Sequence, residues 1–140
     1  MTSTLCKFSK SWKSSKKPKK QRKYLANAPL HIRRKFLSAH LSKELRSKYR
    51  RRSFPIRKDD QVLVLRGQFK KTKGKVSNIN LKKVKVYVDS VQVLKKDGSR
   101  VLYPLHPSNL IITSLNLDDN ERVKALTRSK DVTSEKNKNS

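Results

Sequence analysis

Acidic residues are scarce in this sequence. Its 140 residues include 10 Asp and Glu against 37 Lys and Arg, which gives a formal net charge of +27 at neutral pH. Repulsion at this charge density opposes a compact fold, and it is relieved when an anionic partner lies among the cations. The imbalance therefore predicts a polyanionic partner, of which nucleic acid is the commonest.

Cysteine and glycine are also rare. Cys6 is the single cysteine, so no intramolecular disulfide can form, and no Cys/His set has the spacing of a zinc site. We therefore expect a reducing, intracellular compartment. With 34% hydrophobic residues and three glycines, the composition predicts a small core, in one mini-domain with long arms.

Long apolar runs are absent from the sequence. Residues 1–12 lack the apolar stretch of a secretory signal, and the longest purely aliphatic run, Leu110-Ile111-Ile112, is too short to cross a bilayer. We therefore expect neither a secretory signal nor membrane insertion.

The positive charge is concentrated in the first part of the chain. Residues 1–58 hold 20 basic residues and one acidic residue, against 17 and nine in the remainder. Residues 9–23 are low in complexity and show no helical or strand periodicity. We expect residues 1–25 to be a basic disordered arm that lies extended along a phosphate backbone. Trp12 lies within residues 9–23 and Tyr24 directly follows them, and each could stack on an unpaired base or pack in a protein or RNA groove.

Short helices and a basic linker are expected over residues 26–55. Asn27 is a candidate cap for a helix that carries Ile32 and Phe36. Ser42 is a candidate cap for a second helix, with Leu45 and Tyr49 on one face. The proline of Phe54-Pro55 disfavours helix at Phe54, so we expect the folded unit to start near Ile56.

Short strands are predicted over residues 56–116. Their candidate ranges are 61–66, 75–80, 84–89, 91–95, 100–103 and 109–113. Val84, Val86 and Val88 alternate with polar or aromatic positions, as a half-buried strand requires. Asp97-Gly98 predicts a hairpin turn. Several strands this short suggest a small barrel, so the expected fold is mainly β.

Residues 117–140 are expected to form a short helix and a polar tail. Asp118 with Glu121 is typical of a capping box, and the predicted helix ends near Leu126. We expect residues 129–140 to be frayed.

The segment DDQVLVLRGQFKKTKGKV, residues 59–76, predicts a strand, a basic loop bounded by two glycines, and a second strand. We expect Gly67 and Gly74 to supply the positive φ at which the chain leaves and re-enters the strands. The spacing does not fit a P-loop, which needs four residues between its glycines and then Lys-Ser/Thr. The segment resembles a KOW motif, although that motif usually has a glycine where this chain has Lys71.

The flanking residues identify the family that the chain resembles. Residues 28–35 (APLHIRRK), 41–49 (LSKELRSKY), 52–60 (RSFPIRKDD) and 106–113 (HPSNLIIT) are similar to successive signatures of one ribosomal protein family. It is the large-subunit family numbered twenty-four in the universal naming and twenty-six in the eukaryotic naming. The resemblance runs from about Ala26 to Leu126, and the N-terminal helices point to the eukaryotic or archaeal branch.

The resemblance implies an SH3-like barrel bound to large-subunit ribosomal RNA near the polypeptide exit tunnel. It also implies neighbouring large-subunit proteins as partners and a role in early subunit assembly. The implied location is the cytosolic large subunit, with nucleolar passage if the source is eukaryotic.

Candidate RNA-binding residues are those that bring cations, loop glycines or imidazoles to the proposed surface. They are Lys16, Lys17, Lys19, Lys20, Arg22 and Lys23 in the arm; His31, Arg33, Arg34, Lys35, Arg46, Lys48, Arg50, Arg51 and Arg52 in the helical segment; and Arg57, Lys58, Arg66, Gly67, Lys70, Lys71, Lys73, Gly74, Lys75 and His106 in the folded unit.

We expect no catalytic residues, cofactor or metal. His31, His40 and His106 lie far apart and in no metal-binding pattern, and His106 fits loop packing or RNA contact better than catalysis. Asp59 and Asp60 lack an accompanying nucleophile or substrate pocket, so capping or pairing with Arg57 and Lys58 is the better account of them.

Two other function classes remain open at this point. A transcription-associated KOW factor would usually carry further domains or repeats, whereas this chain has one copy. A basic protein that coats membranes or DNA would carry an amphipathic helix with a broad apolar face, which the sequence does not show.

Overall fold

The computed structural model describes residues 8–9 and 15–136, with side chains as far as Arg128. This part of the chain folds as a six-stranded sheet, a separate two-stranded hairpin and several helices. The expectation of a mainly β fold with short N-terminal helices is confirmed in this coarser form, as a sheet-rich fold with helices at both ends.

The helices occupy the two ends of the described chain. They are α1 (Pro18–Asn27), α2 (Leu30–Phe36), α3 (Lys43–Tyr49) and α4 (Asn120–Lys136), and a short 3-10 helix covers Pro107–Asn109.

The strands lie between these helices. They are β1 (Ser38–Leu41), β2 (Ser53–Pro55), β3 (Gln61–Val64), β4 (Lys73–Asn80), β5 (Lys85–Val88), β6 (Gln92–Leu94), β7 (Arg100–Leu102) and β8 (Leu110–Ser114). The last six correspond to the six predicted strands, within a few residues at each end.

The large sheet has the order β2-β1-β8-β3-β4-β5. Neighbouring strands are antiparallel except β1 and β8, which run parallel with His40 opposite Ile111. A further bridge joins Val86 of β5 to Leu105, which lies shortly before β8. The part of the sheet from β8 to β5 therefore curls, because β5 at its edge is bridged to the segment that leads into β8.

The core lies inside this curled sheet. Val62, Val64, Val86, Leu110 and Ile112 are almost completely buried. They alternate with exposed or half-buried neighbours along β3, β5 and β8, so the period of two seen in the sequence is confirmed. Several of these core residues are valines, whose β-branched side chains pack well on a pleated surface.

The predicted start of the folded unit near Ile56 is wrong for the sheet, because β1 and β2 precede it. β2 pairs with β1, and β1 pairs with β8, so the sheet begins at Ser38. Pro55 does not separate the helices from the folded unit. It lies in β2 at the edge of the sheet, where the missing N–H removes no hydrogen bond between strands. The division of the chain at residues 25, 55 and 116 stays a prediction.

The prediction of a disordered arm over residues 1–25 is wrong for residues 18–25, which lie in α1. Pro18 occupies the first turn, where its fixed φ favours a helix, and Lys, Gln, Arg, Leu and Ala are good helix formers. None of the residues in α1 is buried. A helix without a buried face shows no apolar periodicity, which is why the sequence pattern concealed it.

The predicted helix with Ile32 and Phe36 is confirmed as α2, but Asn27 does not cap it. Asn27 is the last residue of α1, and Pro29 precedes α2 without a capping side chain. The second prediction is confirmed, because the Ser42 hydroxyl accepts a hydrogen bond from the Leu45 backbone N–H at 3.3 Å at the start of α3.

The C-terminal helix begins one residue later than predicted and ends later. Its cap is Asp119, whose side chain accepts from the Glu121 backbone N–H at 2.9 Å, rather than Asp118. The helix continues to Lys136 instead of ending near Leu126, so the prediction of a frayed end is wrong for residues 129–136. Residues 137–140 of the predicted tail lie outside the described residues.

Candidate nucleic-acid interface

The loop between β3 and β4 is built on two residues with positive φ, Gly67 (φ 94°) and Lys71 (φ 70°). The Lys71 backbone N–H donates to the Val64 carbonyl at 2.8 Å, which closes the loop against the end of β3. Lys71 therefore adopts the left-handed conformation that a glycine would favour at this position. The loop makes this bend with a residue that carries a side chain and a positive charge.

Gly74 does not act as predicted, because its φ is not in the left-handed region. It lies within β4, where an added Cβ would come within 2.1 Å of the Ser90 Oγ and 2.6 Å of a Val88 methyl carbon. The Ser90 hydroxyl in turn donates to the Lys73 carbonyl at 2.8 Å. Gly74 is thus required for close approach between β4 and the end of β5, and not for a turn.

Three of the four predicted loop lysines are exposed without an ion pair to any described residue: Lys70, Lys71 and Lys73. The fourth, Lys75, lies on β4 with its Nζ 2.7 Å from the Asp59 carboxylate. The hydrogen bond and charge of Asp59 raise the pKa of Lys75. Lys70 and Lys71 in the loop and Lys73 at the start of β4 are therefore three exposed cations without an ion pair among the described residues.

The densest group of cations surrounds a groove beside α3. The groove has a volume of about 600 Å³, and it is lined by Lys43, Arg46, Ser47, Arg50, Arg51 and Arg52. Arg50 follows α3 directly and has a φ of 50°, so the chain turns sharply before β2. That turn brings Arg51 and Arg52 back alongside the basic face of α3. We call this feature the arginine groove.

Arg33 was predicted to bind RNA, but its guanidinium is occupied by the protein backbone. It donates to the carbonyls of Ala26, Ala28 and Lys82 at 2.5, 2.8 and 2.6 Å. These bonds join the turn between α1 and α2 to the turn between β4 and β5. Arg33 is therefore a structural clamp that fixes the direction of α1.

Arg57 is likewise paired within the protein, to the Asp119 carboxylate at the start of α4. The hydrogen bond from Arg57 holds the pKa of Asp119 below its ordinary value. Lys58 and Arg66 are exposed. Arg57 is therefore bound within the protein, whereas the side chains of Lys58 and Arg66 are available to a partner.

Asp60 and Arg122 form a buried ion pair that the sequence did not reveal. Asp60 is 0% exposed and Arg122 is 4% exposed. The two guanidinium Nη atoms of Arg122 lie 2.7 and 2.6 Å from the two carboxylate oxygens. The same carboxylate accepts from the backbone N–H groups of Arg57 and Asn116. The pair ties α4 to the base of the sheet.

This arrangement corrects the expected role of the two adjacent aspartates. The partner of Asp59 is Lys75, and the ionic partner of Asp60 is Arg122, so the predicted ion pairs with Arg57 and Lys58 are wrong. Capping is confirmed in part, through the bond from the Arg57 backbone N–H. No local pattern could have paired residues so far apart in the sequence.

The three histidines lie apart in the structure as well. His31 is exposed on α2, His40 is half-buried in β1, and the His106 Nδ1 lies 2.8 Å from the Ser108 hydroxyl oxygen. Burial and the nearby charge of Lys85 lower the pKa of His106. His106 caps the 3-10 helix, which confirms the loop-packing alternative and leaves RNA contact as a prediction.

Two aromatic residues were predicted to stack on bases or to pack in a groove. Tyr24 of α1 packs on Phe8 and Phe36, with ring centroids 4.8 and 5.9 Å away, so it follows the protein-packing alternative. Trp12 lies outside the described residues.

The remaining predicted cations are exposed on or next to the helices. They are Lys16 and Lys17 before α1; Lys19, Lys20, Arg22 and Lys23 on α1; Arg34 and Lys35 on α2; and Lys48 on α3.

The described residues contain neither a metal-binding cluster nor a membrane-spanning helix. No group of three His, Cys, Asp or Glu side chains is arranged to hold a metal ion there. Within the same residues, no helix combines the length and apolar character that a bilayer span requires.

The fold and its surface define a class of small basic proteins in which a rigid sheet carries exposed cations suited to a polyanion. The comparison with known proteins places the chain within that class. It belongs to the family of ribosomal proteins L26 of eukaryotes and L24p of archaea, whose sequence profile matches residues 15–129.

The chain is similar to the large ribosomal subunit protein uL24 of Methanosphaera stadtmanae, with 50% identity over 114 residues, which cover 81% of this chain and 97% of the relative. The family resemblance seen in the sequence is thus confirmed. Membership of a ribosomal protein family also makes the chain a structural, non-enzymatic protein.

Proposed function

We propose that this protein is a structural constituent of the cytosolic large ribosomal subunit, where it binds ribosomal RNA near the polypeptide exit tunnel and supports early subunit assembly. The observation that carries the proposal is the arginine groove on a sheet-based fold, in a chain that belongs to a ribosomal protein family. Neighbouring large-subunit proteins and the RNA are its partners, and the protein passes through the nucleolus if its source is eukaryotic.

The groove suits a phosphate backbone for two reasons. Its cations come from a short helix and from the segment that follows it, so their spacing is held by α3 and by the pairing of β2 with β1. Arginine also presents a planar fork of donors that can grip phosphate oxygens in pairs. A rigid row of such donors fits the regular spacing of phosphates along a strand.

The proposed fold is an SH3-like barrel of the KOW type. Supporting it are the curled sheet, the Val86–Leu105 bridge and the 3-10 helix that leads into β8. The loop of Gly67 and Lys71 then projects from one end of the barrel with Lys70 and Lys73 exposed. Groove and loop would contact separate RNA segments.

Five predicted site residues leave the proposed contact set. The side chains of Arg33, Arg57 and Lys75 are bound within the protein, and Gly67 and Gly74 shape the backbone of the loop and of β4. The proposed phosphate contacts are Lys16, Lys17, Lys19, Lys20, Arg22, Lys23, Arg34, Lys35, Arg46, Lys48, Arg50, Arg51, Arg52, Lys58, Arg66, Lys70, Lys71 and Lys73, with His31 and His106 as polar contacts. Phosphate contacts give affinity and position, so specificity comes from RNA shape and a few exposed bases.

The test is sedimentation of a lysate from cells that carry the tagged chain, followed by crosslinking and sequencing of RNA bound in the large-subunit fraction. The proposal predicts one copy per large subunit and crosslinks clustered on one region of the large ribosomal RNA. Absence from subunits, with crosslinks scattered over nascent transcripts, would instead support a transcription-associated factor.

A further inference from the structure

A pocket of about 550 Å³ lies between α2, β2 and α4. Phe54 and Pro55 of β2 and Ala125 of α4 form an apolar part of its wall, whereas Arg34 and Lys35 from the last turn of α2 reach its rim. Its size falls within the range of about 300–1,000 Å³ that small-molecule sites occupy. We call this feature the α2–α4 pocket.

The uncommitted charges around the pocket are positive. Arg57 and Glu121 also reach it, but they already pair with Asp119 and Lys124. Arg122 in its wall is neutralised by Asp60. The side chains of Arg34 and Lys35 form no ion pair with the described residues. The pocket therefore combines an apolar wall with a cationic rim.

The pocket continues from the arginine groove, because Arg51 lines both. The Arg51 guanidinium carbon lies 6.0 Å from the centroid of the Phe54 ring, and that of Arg122 lies 5.5 Å from it. A strand whose phosphates follow the groove would pass Arg51 at the mouth of the pocket. One nucleotide could then turn inward while its phosphate stays at the cationic rim.

We infer that the α2–α4 pocket receives one unstacked nucleotide of the bound RNA. Its base lies against the half-buried Pro55 and Ala125 and beside the Arg51 guanidinium, and Arg34 and Lys35 hold its phosphate. A duplex cannot supply such a nucleotide without breaking a base pair. The pocket therefore gives the protein a preference for an RNA segment with an unpaired residue. This inference rests on the proposed function.

The test uses the full chain and single-stranded oligoribonucleotides with one central 4-thiouridine or 6-thioguanosine. Light-induced crosslinks are mapped to peptides by mass spectrometry. We expect crosslinks in the peptide of Phe54 and Pro55 or in that of Arg122 and Ala125, besides those in the arginine groove.

Two variants test the pocket. Ala125→Phe fills it without changing the charge, and we expect about tenfold weaker binding of the single strand, the order of one lost stacking contact. Arg34→Gln at the rim should also reduce the pocket crosslinks, and it keeps the test decisive if Ala125→Phe does not fold. The control is Leu94→Phe, which places the same ring on the exposed surface of β6, outside the proposed contact set.

The outcomes separate the two proposals. Tight RNA binding with crosslinks confined to the groove, or pocket crosslinks unchanged in a folded Ala125→Phe variant, would overturn the pocket and leave the proposed function standing. No binding of any RNA by the unaltered chain would overturn both.

Discussion

At the residue scale, Lys71 shows how a basic loop can keep its bend without a glycine. A left-handed conformation costs a residue with a side chain roughly 1–2 kcal/mol. Lys71 adds a cation to the loop, next to the exposed Lys70. At this position the protein has an additional positive charge and a lower local stability.

The effect of the left-handed conformation on stability can be measured with two substitutions that remove the same charge. Lys71→Gly should raise the free energy of unfolding by about 0.5–1 kcal/mol, because relief of the left-handed conformation exceeds the added entropy of the unfolded chain. Lys70→Gly, at a residue without positive φ, should lower it by about 0.5–1 kcal/mol. Urea denaturation gives both values, and equal changes in the two variants would contradict the account of the loop.

A second residue-scale prediction concerns the buried Asp60. Asp60→Asn should lower the free energy of unfolding by about 3–5 kcal/mol, because it leaves the charge of Arg122 buried without a counter-ion. The matched control is Asp59→Asn, whose carboxylate and its partner Lys75 are both more than half exposed. That variant should lose about 1 kcal/mol or less. Similar losses in the two variants would show that burial does not set the strength of these pairs.

At the element scale, α4 is attached through its first turns. Arg57 pairs with Asp119 at the helix start, and Arg122 reaches Asp60 in the base of the sheet. Leu126 is fully buried in the same core as the strands. The attachment explains why α4 contributes to the wall of the α2–α4 pocket, since Arg122 and Ala125 are held against β2.

The Arg57–Asp119 pair makes the helix start sensitive to acid. The pKa of Asp119 is lowered in the folded protein from its ordinary value of 3.8. The pair therefore stabilises the fold above that value, and its contribution is lost as the pH falls through the lowered pKa. In Arg57→Gln the pKa of Asp119 should rise toward 3.8, as measured by NMR titration of its carboxyl carbon. An unchanged pKa would show that the helix N-terminus, rather than Arg57, stabilises the carboxylate.

The elements also show what the sequence could predict. β3 to β8 and α3 carry local signals, namely alternating valines, Asp97-Gly98 and the Ser42 cap, and each is confirmed. β1 and β2 were missed because they are only four and three residues long, and β1 is held by pairing with the distant β8. α1 was missed since it has no buried face, and Arg33 and Arg57 look like any other surface cation until their partners are known.

At the scale of the whole molecule, the charge of +27 is distributed over surfaces with different tasks. The arginine groove and the β3–β4 loop present rigid cations, whereas α1 presents a row of them on a helix clamped by Arg33. Binding to RNA releases counter-ions in proportion to the phosphates that are neutralised, so affinity falls steeply with salt.

The salt dependence can distinguish specific cations from overall charge. Replacing Arg50, Arg51 and Arg52 together by Gln should reduce the slope of log affinity against log salt by about 2–3, which is close to one per lost phosphate contact. The control replaces Lys82, Lys95 and Lys96 by Gln, with the same change in net charge outside the groove. Its slope should change by less than about 1. Equal slopes in the two variants would mean that RNA responds to net charge alone.

The parallel pairing of β1 with β8 has a consequence for the newly made chain. His40 pairs with Ile111, so the β1–β2 pair cannot join the rest of the sheet until most of the chain has been synthesised. Until then the first 58 residues, with 20 basic residues and one acidic residue, are present without the strand that positions them. We therefore expect the unfinished chain to attract any RNA through its charge alone. Once β8 has been made and has paired with β1, the same cations have fixed positions and can bind RNA of a matching shape.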